Sequence, residues 1–112
     1  MIVYRWENKY SGFGPMCHIN GDNWQWYDLF YDHEVPNHAN SEFAKFMEEH
    51  KGKRFYVFGT TSLDWLFNIT RKGAEEILER CDYELTSWKV TESFFLFNDG
   101  QVCFERTKAI KL

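Results

Sequence analysis

The stretch "FFLFNDGQVCFERT", residues 94–107, decides the fold class. Two runs of β-formers flank Asn-Asp-Gly. Asp-Gly supplies the positive φ angles of a tight two-residue turn, so the stretch predicts an antiparallel hairpin. Upstream, "YELTSWKVT" (83–91) reads as another strand, and "KRFYVFG" (53–59) as a buried strand with basic residues at its start. "MIVYRWE" alternates between apolar and polar positions and predicts a first strand over residues 2–7.

Helical signals lie between the strands. Ser41 can cap a helix over 42–51, with Phe43, Phe46 and Met47 as one apolar stripe; Glu42, Lys45, Glu48 and Glu49 face out, and Gly52 ends it. Thr61 or Ser62 caps a short helix with Asp64 in its first turn and Leu63, Leu66 and Phe67 inward. Thr70 caps a third helix, 71–81, which buries Ala74, Ile77, Leu78 and Cys81 and solvates Glu75, Glu76, Glu79 and Arg80. The element order is β, loop, α, β, α, α, β, β, β. It predicts a single α+β domain over 1–112: a mainly antiparallel sheet of about five strands with three helices packed on one face.

Composition narrows the functional classes. Aromatic residues make up 20% of the 112. That exceeds what a core of this size easily hides, so exposed aromatic contact sites are expected. The net charge of −4 is unevenly spread: residues 16–50 hold seven carboxylates against a single Lys45. No basic face is evident, so free nucleic acid is not the expected partner; a protein with a basic surface is. No apolar run approaches about 18 residues and Met1 leads straight into "IVYRWE", so neither a membrane span nor a signal peptide is expected. Three cysteines, Cys17, Cys81 and Cys103, are too few for a disulfide framework and suit a reducing cytoplasm. Whether the chain is a monomer or a dimer is left open.

"SGFGP" (11–15) is a turn, and residues 16–40 form the weakest pattern, a long loop with a short strand at 24–31. Loops of this length in compact domains are usually functional. Within it, "MCHINGDNWQWYDLFYDH" (16–33) supports two readings. In the first it is a partner-binding surface: Asp22, Asp28, Asp32 and Glu34 steer a basic protein, while Trp24, Trp26 and Tyr27 anchor it. In the second, Cys17, His18, His33 and His38 hold a structural zinc ion. Adjacent Cys17 and His18 do not easily share one ion, and no C-x₂-C pair occurs. No other cofactor is expected. Cys81 and Cys103 read as small core hydrophobes.

Two resemblances add to this. The openings "VYRWENKYSGFGP" (3–15), "FGTTSLDWLF" (58–67) and "GQVCF" (100–104) resemble small proteins carried by bacteriophages and mobile elements. Small acidic domains in that setting often block host defence, as anti-CRISPR proteins do. The chain also resembles the ADP-ribosyltransferase fold in the order of Arg5, the triplet Thr60-Thr61-Ser62 and Glu105. That resemblance implies a nicotinamide dinucleotide site with Arg5 and Ser62 at its floor and Glu105 reaching the ribose. The paired acid of that family is missing, since Gln101 and Cys103 take the alternate positions beside Glu105. The leading expectation is a non-enzymatic, cytoplasmic phage inhibitor of a defence protein such as a CRISPR nuclease. An ADP-ribosyltransferase-like enzyme and a zinc-stabilised protein-binding module are the alternatives. Glu105, near a strand end, is expected to face solvent.

Overall fold

Alternation in the first strand sets the architecture. Strand β1 (Ile2–Asn8) sends Val3, Arg5 and Glu7 to one face and Tyr4, Trp6 and Asn8 to the other. The computed structural model describes residues 1–15, 29–31, 33, 40–51 and 55–112. Beyond β1 these form α1 (Ser41–Glu49), β2 (Tyr56–Thr60), α2 (Leu63–Ile69), α3 (Ala74–Arg80), β3 (Tyr83–Lys89), β4 (Phe94–Leu96) and β5 (Gln101–Glu105). A 3₁₀ turn over Arg106–Lys108 leads into β6 (Ile110–Lys111). The strands make one sheet in the order β4-β5-β2-β1-β3-β6, with every neighbouring pair antiparallel. The α+β class is the expected one.

Helices cover the face that carries Tyr4 and Trp6. Phe43 and Phe46 of α1 pack on Cys103, with Tyr56 and Phe95 alongside. Leu66 and Ile69 of α2 and Ala74 and Leu78 of α3 pack with Trp6 and Tyr83. The other face holds its own core of Val3, Val57, Trp88, Val90, Val102 and Phe104. Trp88 on β3 and Phe104 on β5 have ring centroids 6.3 Å apart, although two strands separate theirs. In a flat sheet three strand spacings would hold them roughly 14 Å apart. The sheet is therefore strongly curled, with this second core inside the curl and the helices outside.

The seam of the curl lies between β1 and β2, which pair in register at Tyr4–Thr60. A Cβ at Gly59 would stand 2.6 Å from Val3 Cγ1 and 2.8 Å from the Tyr4 carbonyl oxygen. Only a residue without a side chain lets the two backbones approach this closely. Arg5 runs along the same seam and donates from Nε to the Phe58 carbonyl at 3.0 Å.

Several local expectations change. The hairpin loop has three residues rather than two. Gly100 N–H closes a turn onto Phe97 O at 3.0 Å, and Gly100 takes the positive φ (90°) alone, while Asp99 caps the turn by accepting from Gln101 N–H at 3.0 Å. Asn40, not Ser41, caps α1, accepting from the amides of Glu42 and Phe43 at 3.0 Å. Ser62, rather than Thr61, caps α2 through Trp65 N–H at 3.1 Å. Thr70 does not open the third helix. Its hydroxyl donates to Leu66 O at 2.6 Å and closes α2, and α3 begins after Gly73. Phe67 points outward, 42% exposed. A sixth strand, β6, was not expected, because two residues carry no readable period.

Replacing Gly59 with Ala should destabilise the fold by about 1–3 kcal/mol through overpacking against β1. Urea denaturation should show a lowered midpoint with an unchanged slope.

Candidate functional site

The curled face contains a buried charge cluster. Glu7, 1% exposed, receives Arg5 Nη1 on one carboxylate oxygen. Arg106 Nη2 donates to the other at 3.0 Å and its Nε reaches back at 3.3 Å. Arg5 also donates to Gly12 O at 3.0 Å. The Arg106 guanidinium sits over the Trp88 ring at 4.7 Å and the Phe55 ring at 5.3 Å. A carboxylate this deep is tolerable because two cations and their hydrogen bonds replace its hydration. Arg5 thus spends its donors on the fold.

The residues implied by the transferase resemblance do not converge. Tyr4 lies opposite Thr60, and Thr60 opposite Gln101. Glu105, four residues on from Gln101, therefore shares the helix-covered face, whereas Arg5 is on the curled face. Ser62 is committed to its cap. Glu105 is not exposed as expected but buried, 6% accessible. The turn over 106–108 folds back, bringing Thr107 Oγ1 to within 3.4 Å of its carboxylate and the Lys108 ammonium to 3.8 Å.

Of the proposed zinc ligands, His33 is described. Its Nδ1 lies 2.8 Å from Tyr31 O and its ring meets Trp65 edge-on at 5.3 Å. Cys17, His18 and His38 lie outside the described residues, as do the expected contact residues Asp22, Trp24, Trp26, Tyr27, Asp28, Asp32 and Glu34. Among the described residues, no group of three or more His, Cys, Asp or Glu side chains is placed to hold a metal ion. Cys81 and Cys103 are both buried among core residues, as read from the sequence.

A cleft of about 400 Å³ opens on the helix-covered face between α2, α3 and the β1–β3 pair. Trp6, Phe67, Tyr83 and Leu85 line it, with Lys9, Glu75, Glu79 and Glu84 around them. Trp6 is 6% exposed and its indole N–H finds no acceptor among the described residues. Glu84 is paired with Lys111 at 3.0 Å. Glu75 and Glu79 are exposed, and neither takes part in an ion pair with another described residue. Sequence reading placed these two on a merely solvated face. The missed signal was their like charge at i,i+4, which disfavours a helix without compensation, next to a Phe67 that leaves the buried stripe.

These features define the class: a small α+β domain with a curled six-stranded antiparallel sheet, helices on its outer face, and a cleft with an apolar floor and an acidic lip. The family model described as Bacteriophage T4 Y00F protein matches residues 1–112, and the chain belongs to that family. It is a small phage protein, as the first resemblance implied. No curated protein and no solved structure matches it. No helix among the described residues is long and apolar enough to cross a membrane.

Two measurements check the buried chemistry. Replacing Glu7 with Gln leaves Arg5 and Arg106 without their counter-charge and should cost about 3–5 kcal/mol in thermal or urea unfolding. Arg106→Ala should cost less, because Arg106 is partly open to water. Separately, burial pushes the Cys103 thiol from its ordinary 9.0 up to about 12. Burial, and then the nearby Glu105, raise Tyr56 as well. Above about pH 9 the unfolded chain therefore binds fewer protons than the native one. Stability should be intact below pH 9 and fall progressively as pH rises toward 12, and Cys103→Ala should flatten that decline.

Proposed function

We propose that this phage protein is a non-enzymatic inhibitor that binds and blocks a bacterial defence protein, such as a CRISPR effector nuclease, in the host cytoplasm. It would do so by covering a basic surface of that partner. The observation that carries this reading is the charge of residues 16–50, seven carboxylates against Lys45. Where α1 displays part of that segment, Glu42, Glu48 and Glu49 are exposed. Lys51 approaches Glu48 at 4.0 Å, but both side chains are more than three-quarters exposed, so the pair offsets little of the charge. Tyr31, beside the acidic aromatic stretch, is also exposed. Asp22, Asp28, Asp32 and Glu34 would steer a basic partner, and Trp24, Trp26 and Tyr27 would anchor it. The reading calls for no cofactor and no catalytic group. The engagement of Arg5 with Glu7 and of Ser62 with its helix is consistent with it.

Dose–response inhibition of purified defence nucleases tests the proposal. The effect should saturate near one equivalent and be indifferent to added nicotinamide dinucleotide. Higher salt should slow association. The double variant Trp24→Ala/Trp26→Ala should remain folded and lose about 2–4 kcal/mol of binding. Inhibition at catalytic amounts that requires the dinucleotide would show an enzyme instead.

A further inference from the structure

We propose that the cleft between α2, α3 and the β1–β3 pair is a recognition site for a basic side chain, lysine or arginine, presented by a protein partner. The inference rests on reading the chain as a protein binder, but it concerns a surface outside residues 16–50. The cleft volume of about 400 Å³ lies within the roughly 300–1,000 Å³ of binding pockets. Its floor of Trp6, Phe67, Tyr83 and Leu85 is apolar and mostly aromatic. Such a floor takes the aliphatic stem of a long cationic side chain and leaves its charge to the lip. Phe67 and Leu85 leave apolar surface in water that a stem would cover.

The lip selects the charge. Glu75 and Glu79 stand one helical turn apart on α3 and repel each other; a cation between them relieves that repulsion and makes charge-assisted hydrogen bonds. Glu84 already has Lys111, so the selection falls on the α3 pair. An anionic ligand would face both carboxylates, and a neutral one would leave their repulsion in place. Lys9, also lining the cleft, can meet backbone carbonyls of the incoming segment.

The test titrates the ¹⁵N-labelled protein with acetyl-Gly-Arg-Gly-amide and with the citrulline analogue, which keeps the shape and removes the charge. The arginine peptide should give saturable shifts confined to the Trp6 indole and the amides of Lys9, Phe67, Glu79 and Leu85. The citrulline peptide should bind at least tenfold more weakly. So should the arginine peptide to Glu75→Gln/Glu79→Gln, whose exposed positions leave the remaining spectrum unchanged. Equal shifts from both peptides, shifts scattered over the surface, undiminished binding to the double variant, or no shift at all would overturn the proposal. No partner enters this experiment. Loss of nuclease inhibition with intact peptide binding would instead count against the inhibitor reading alone.

Discussion

The Glu7 carboxylate, held between two guanidinium groups, is the constraint on which the rest of the molecule depends. Arg5 joins it to the Gly12 carbonyl and, across the β1–β2 seam, to the Phe58 carbonyl. Arg106 joins it to the end of the sheet's fifth strand and to two aromatic rings. One buried anion thus ties together the first strand, the loop after it and the closing segment of the chain. Asn8 prepares that loop: its side chain accepts from the amides of Tyr10 and Ser11, turning the chain so that Gly12 O can meet Arg5. The cluster draws the end of β5 toward β1 across the single intervening strand β2, in the same sense as the curl of the sheet.

Curling has a consequence for the opposite face. With the sheet's inner surface filled by Val3, Val57, Trp88, Val102 and Phe104, the helices must share the outer one. They divide it. The α1 helix lies over the β4–β5 hairpin, where Phe43 meets Phe95 and Phe97 at 5.5 and 4.9 Å. The α2–α3 pair lies over β1 and β3. These two groups of helices bury separate clusters, and the cleft opens where α2 and α3 stop short of covering Leu85. The same division puts acidic side chains from two different helices on the outside.

What was legible in the sequence depended on how local its cause was. The period of two in residues 2–8 and the hairpin around Asp99-Gly100 are properties of neighbours in the chain, and both elements are present. Caps were less reliable. Asn40 and Ser41 are both good capping residues, and the choice fell to the one whose side chain reached two amides. Thr70 could close one helix or open the next, and its hydroxyl bonds backward to Leu66. The burial of Glu105 is not encoded in the strand pattern: it lies opposite Tyr56 on the helix-covered face, and the turn that follows brings Thr107 and Lys108 back to its carboxylate. The cleft was illegible for a deeper reason. Trp6, Phe67, Glu79 and Leu85 are widely separated in sequence, and only the packed sheet and helices place them together.

The two outermost strands, β4 and β6, are three and two residues long. An exposed sheet border is a template on which another chain can add a strand, and the hazard grows with the length of backbone left open. Both edge strands are short and Lys111 sits on one of them, but β6 pairs only with Trp88 and Lys89, so among the described residues no strand covers the rest of β3 on that side. The edge strands β4 and β6 thus offer little backbone to an incoming chain, and the outer edge of β3 beyond β6 is where strand addition would have to begin.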